Sequence, residues 1–124
     1  MKIKNEVLVS SIDVLSKVTS MELPIKLSYA FSKNIIKIDR ELTAYNKERE
    51  KLINKYGEKD KEGNLKIKKD GTINILDSDN FNKDLKEILE IETDVDIHTI
   101  DLENINADIN IAPGELMVID YMLK

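Results

Sequence analysis

At 124 residues and 14.2 kDa the chain has the length of one domain and enough mass to bury a true core. Hydrophobic residues at 41% and charged residues at 35% exclude a disordered tail, and the absence of Cys excludes disulfides, thiolate catalysis and Cys-ligated zinc. No run approaches the ~18 uninterrupted apolar residues of a membrane span, and Met1 to Glu6 lacks the features of a signal peptide, so a cytoplasmic protein without membrane contact is expected.

Met1–Lys4 suits a short leading strand. Leu8, Ile12, Leu15 and Val18 then recur at spacings of three and four, which predicts a helix over residues 6–19 with Asn5 as its N-cap. Pro24 opens the next element, because proline fits a first helical turn. From there Leu27, Phe31, Ile35, Ile38, Leu42, Tyr45, Arg49, Leu52 and Tyr56 form one stripe without an intervening Gly or Pro. The spacing predicts a single helix of about 33 residues, with Gly57 as a left-handed cap.

Asp70-Gly71 lies between two short β-rich runs. A two-residue turn would place Lys68 opposite Ile73 and mix the faces. A three-residue loop, Lys69-Asp70-Gly71, with Gly71 left-handed, pairs Ile67 with Ile73 and Leu65 with Ile75. That bulged hairpin is the expectation. Asp77, Ser78 and Asp79 offer N-caps for a short amphipathic helix over residues 79–90, carried by Phe81, Leu85, Ile88 and Leu89. Residues 91–99 alternate apolar or Thr with Glu92, Asp94, Asp96 and His98, which reads as a half-exposed strand. Asp108–Ile111 is a short strand candidate. Pro113 starts a last helix whose buried side would hold Leu116, Met117, Ile119, Met122 and Leu123.

The expected class is therefore α+β in a single domain, 1–124. A helical part (1–56) has a long helix paired with a shorter one; a central β-hairpin (57–76) follows; an acidic helix–strand–helix part (77–124) closes the chain.

Net charge is -5, but it is unevenly placed. Residues 1–76 carry 16 Lys/Arg against 11 Asp/Glu, a balance of +5, and residues 77–124 carry 3 against 13, a balance of -10. Such asymmetry marks an electrostatic interaction face. Glu92, Asp94, Asp96, Asp101, Glu103 and Asp108 are the candidate binding residues, and a protein with a basic surface is the fitting partner. The same acidity opposes direct nucleic-acid binding.

Catalytic constellations are poorly represented. A triad would need the single histidine, His98, which falls on the polar side of the acidic strand. Glu92, Asp94, Asp96 and His98 could approach a metal, but same-face strand neighbours lie nearly 7 Å apart and one strand rarely chelates tightly. The Asp77-Ser-Asp79-Asn80 run starts like a calcium loop, yet Gly is missing at its sixth position and Glu at its twelfth. The four glycines are isolated, so no phosphate-binding loop exists. The expectation is a non-enzyme with no metal and no cofactor.

Leu23-Pro24-Ile25-Lys26, the Glu48-Arg49-Glu50-Lys51-Leu52 helix and the Lys55-Tyr56-Gly57-Glu58-Lys59-Asp60-Lys61-Glu62-Gly63-Asn64 junction stand in fixed order. They precede Phe81 to Leu89, the Glu92-Thr-Asp-Val95 strand and Ala112-Pro113-Gly-Glu-Leu116. Over residues 20–124 this order resembles small uncharacterised proteins of bacteriophages and prophages of low-GC bacteria. The 17 Lys against 2 Arg, with 18 Ile and 11 Asn, suit an AT-rich genome. The resemblance implies phage origin and no inherited catalytic residue. Two roles follow as expectations: a binding protein that blocks a host factor, such as a CRISPR-type defence nuclease, or a virion, tail or assembly component. In the second role the helix over residues 24–56 could pair with a second copy.

Overall fold

In the computed structural model, which describes residues 1–101, 103 and 111–123, the protein is α+β. In chain order the elements are β1 (Lys2–Lys4), α1 (Asn5–Val18), α2 (Ile25–Glu41), α3 (Thr43–Tyr56), α4 (Ser78–Leu89), β2 (Glu92–Asp94) and α5 (Pro113–Val118). A 3-10 turn over Asp120–Met122 follows α5. The chain forms two compact units. Unit 1 is Met1–Leu42 with Glu92–Lys124, and unit 2 is Thr43–Ile91. The sequence parts 1–56 and 77–124 thus each contribute to both units.

Unit 1 holds most of the core. Leu8, Leu15 and Val18 of α1 meet the apolar face of α2, where Leu27, Ala30, Phe31 and Ile38 are buried. Val95, Ile100, Ile119 and Met122 close the core from the C-terminal segment. β1 pairs antiparallel with β2, with Lys2 opposite Asp94, Ile3 opposite Thr93 and Lys4 opposite Glu92. Asn5 does not cap α1. It is the first helical residue, and its buried Oδ1 accepts the Thr93 hydroxyl at 2.7 Å. That bond fixes the helix start against β2.

The long helix is divided. Leu42, buried and at φ -80°, ψ -1°, forms a one-residue turn between α2 and α3. In the sequence the three- and four-residue apolar spacing continues across Leu42 with no Gly or Pro, so nothing there punctuates the helix. The half-exposed strand contracts to Glu92–Asp94, because the Ile97 amide turns back to the Val95 carbonyl at 3.0 Å. Val95 is buried and Ile97 half-buried, as the alternation requires, while Ile91 is mostly exposed. Of the residues expected on the buried side of the last helix, Ile119 and Met122 are buried but lie beyond α5, Leu116 and Leu123 are half-buried, and Met117 is mostly exposed. Asp108–Asn110 lie outside the described residues.

Unit 2 pairs α3 with α4 and adds a small β junction. Asp77 caps α4, its Oδ1 accepting the Asn80 amide at 3.3 Å. Tyr56 stacks edge-on against Phe81 and donates its hydroxyl to Asp84 at 2.9 Å. Ile67 pairs with Ile73 around a bulged turn in which Gly71 has φ +85°, as the register argument demands. Leu65 and Ile75 do not face each other. Leu65 bridges to Lys59 and Ile75 to Gly57, because residues 57–59 lie between them and pair with both. A second turn of the same kind results: Gly63, also at φ +85°, donates to the Asp60 carbonyl, and the Asp60 carboxylate accepts the Glu62 and Asn64 amides.

Gly57 is not left-handed, since only Gly63 and Gly71 have positive φ among the described residues. It is required for space. A Cβ there would lie 2.5 Å from the Ile53 carbonyl oxygen and 2.7 Å from Leu65 Cδ2.

Candidate interaction surface

The described acidic candidates all belong to unit 1. Glu92 and Asp94 project from β2 on one face, and Asp96 is fully exposed beyond it. Asp101 is half-buried and accepts the Glu103 amide at 3.1 Å, and Glu103 is exposed. Asp108 lies outside the described residues. No group of three or more His, Asp or Glu among the described residues is placed to hold a metal ion. His98 is exposed, and its part in the fold is played by its backbone.

Several of these carboxylates have cationic neighbours from the front of the chain. Lys2 and Lys4 stand across the ladder from Asp94 and Glu92, so opposite charges occupy facing positions. The terminal amine donates to Asp94 at 2.9 Å, and Lys37 lies 3.5 Å from the Asp96 carboxylate. Lys17 of α1 pairs with Glu115 of α5. The charge polarity of the sequence is therefore partly closed within the fold, where it aligns the C-terminal segment on β1, α1 and α2.

What remains is divided by unit. Unit 1 carries 8 Lys/Arg against 13 Asp/Glu, a balance of -5, whereas unit 2 carries 11 of each. The whole net charge belongs to unit 1.

The terminal amine holds the Asp94 carboxyl below the usual range, through its hydrogen bond and then its charge. A depressed carboxyl contributes stability above its unfolded pKa and loses it as pH falls through the folded value. The melting temperature should therefore decline as pH drops below about 4, and Asp94→Asn should flatten part of that decline. Thermal melts at stepped pH read both effects, and an unchanged slope in the variant would count against the pairing.

An open cleft of about 660 Å³ runs beside β1, the start of α1 and α5. Its lining mixes Ile3, Val7, Met117 and Val118 with Lys2, Lys4, Glu6, Glu92 and Asp120. Beside it, burial pushes the Tyr121 phenol up, and its hydroxyl donates to Ser11 Oγ at 2.7 Å. Ser11 in turn donates to the Val7 carbonyl at 2.7 Å, so this chain is a structural tether between the 3-10 turn and α1.

Two features escaped the sequence reading. Asn34 lies fully buried on the core face of α2, and it clasps the backbone of His98. A polar residue between Phe31 and Ile38 at helical spacing was the available signal. The other is the outward face of α2, where Ile25, Tyr29 and Ile36 are exposed.

No family model, curated protein or solved structure matches the chain.

Proposed function

We propose that this is a phage- or prophage-encoded binding protein of the bacterial cytoplasm that acts without catalysis. In this reading the β2 side of unit 1 meets a basic surface on a host protein and blocks it, and a CRISPR-type defence nuclease is a fitting target. The supporting observation is the confinement of the entire -5 balance to unit 1, where Asp96 and Glu103 are exposed. A basic channel built for nucleic acid is complementary to such a surface, and complementary fields accelerate encounter. Among the described residues no helix is long and apolar enough to cross a membrane.

The test is affinity capture from lysate of a low-GC host carrying such a nuclease. A basic protein should be retained at ~0.05 M salt and released near ~0.5 M, where screening shortens to a few ångström. The Asp96→Lys, Glu103→Lys double variant should lose it. Recovery of no charge-dependent partner at either salt would sink the proposal.

A further inference from the structure

The outward face of α2 carries a pattern that neither the core nor the acidic surface explains. Ile25, Tyr29 and Ile36 are 81%, 64% and 59% exposed. At 100° per residue they fall within about 40° of one another, a single apolar line on the helix. Beside it Lys26, Lys33 and Arg40 follow at intervals of seven, a straight cationic row about 21 Å long. None of the three has an ion pair among the described residues, and Lys33 lies 5.4 Å from the Tyr29 ring centre.

In coiled-coil terms Tyr29 and Ile36 are a positions, Ile25, Ser32 and Asp39 are d positions, and the cations fill every e position, so the seam runs from Ile25 to Ile36 and ends at the Asp39 carboxylate. The seam is short but has a defined electrical edge. That edge identifies the occupant. Two copies packed antiparallel would bring e against e, cation against cation. Two parallel copies would bring e against the g positions Ser28 and Ile35, which carry no charge. A second copy is thus poorly matched either way. A helix with apolar seam residues and a carboxylate flank satisfies both rows.

We propose that the outward face of α2 docks an acidic amphipathic helix of a partner protein. This surface is independent of the acidic one and would operate whether or not that one binds a basic target.

The probe is a fluorescein-labelled helical peptide of about three heptads, with Leu along its seam and Glu on both flanks. A control peptide carries Lys on the flanks. The full chain should bind the Glu peptide saturably in an anisotropy titration, against its own net charge. It should prefer that peptide to the Lys peptide by at least ~10-fold. Ile36→Glu should weaken binding by ~10-fold or more. Reversing Lys26, Lys33 and Arg40 to Glu together should transfer the preference to the Lys peptide. These side chains are exposed, so melting curves should confirm that the variants fold. Equal binding of both peptides, or insensitivity to Ile36→Glu, would overturn the proposal. So would a dimer in sedimentation that Ile36→Glu abolishes, or binding to anionic phosphatidylserine vesicles in place of the peptide.

Discussion

Asn34→Leu should destabilise unit 1 by about 2–4 kcal/mol and lower the melting temperature by roughly 10 °C. Asn34 Nδ2 donates to the His98 carbonyl at 2.9 Å, and its Oδ1 accepts the His98 amide at 2.8 Å. Its second amide hydrogen faces Met122 Sδ at 3.5 Å. The side chain is fully buried and presents an amide to a peptide group as a neighbouring strand would. Leucine keeps the branched outline, with bulkier methyls, but leaves two backbone groups without that partner, and each orphaned group costs about 1–3 kcal/mol if water cannot reach it. His98→Ala is the control. Both bonds use the backbone of residue 98 and its imidazole is exposed, so the change should stay within ~0.5 kcal/mol. Denaturant melts of the two variants decide the matter. If His98→Ala costs as much as Asn34→Leu, the clasp is not the operative interaction.

That clasp shows what a linear reading misses. Local rules located the helices, the Gly71 bulge and the Asp77 cap, because each depends on residues within a few positions. They could not show where 91–99 leaves its ladder. That point is set by Asn34, 64 positions away, and by a β1 strand only three residues long. Periodicity likewise joined α2 to α3 across Leu42, because the apolar spacing in the sequence continues past it. The opposed charges of the two chain halves were legible. Their partial closure as Lys2/Asp94, Lys4/Glu92, Lys37/Asp96 and Lys17/Glu115 needed the register and the helix pairing. The α2 face stayed hidden for a related reason. The sequence stripe placed Leu27, Phe31 and Ile38 on the core side correctly, but Ile25, Tyr29 and Ile36 fall outside it, and periodicity assigns no role to apolar residues off the stripe.

Gly57→Ala should be among the most damaging single-methyl changes available to unit 2, costing about 1–3 kcal/mol through overpacking. Two readings of this glycine make different forecasts. If it were a left-handed cap, asparagine would be tolerated almost as well as glycine. Its φ is not positive, however, and the added Cβ would approach the Ile53 carbonyl at 2.5 Å, Leu65 Cδ2 at 2.7 Å and Ile73 Cγ2 at 3.1 Å. Asparagine adds more atoms to the same space, so Gly57→Asn should be worse than Gly57→Ala. Truncating Leu65 would relieve only part of the clash, because the Ile53 oxygen belongs to the backbone of α3. Gly63 and Gly71 supply the opposite case. Both have φ +85° and nothing within 4 Å of an added Cβ, so alanine there should cost about 1 kcal/mol and asparagine less. Hydrogen exchange at Glu58, Lys66 and Leu76 reads the outcome, since these amides donate to Asn74, Glu58 and Tyr56 across the junction. They should lose protection in Gly57→Ala while the Leu8 and Leu15 amides of α1 keep theirs. Loss in both places would instead mean that the junction and unit 1 unfold as one.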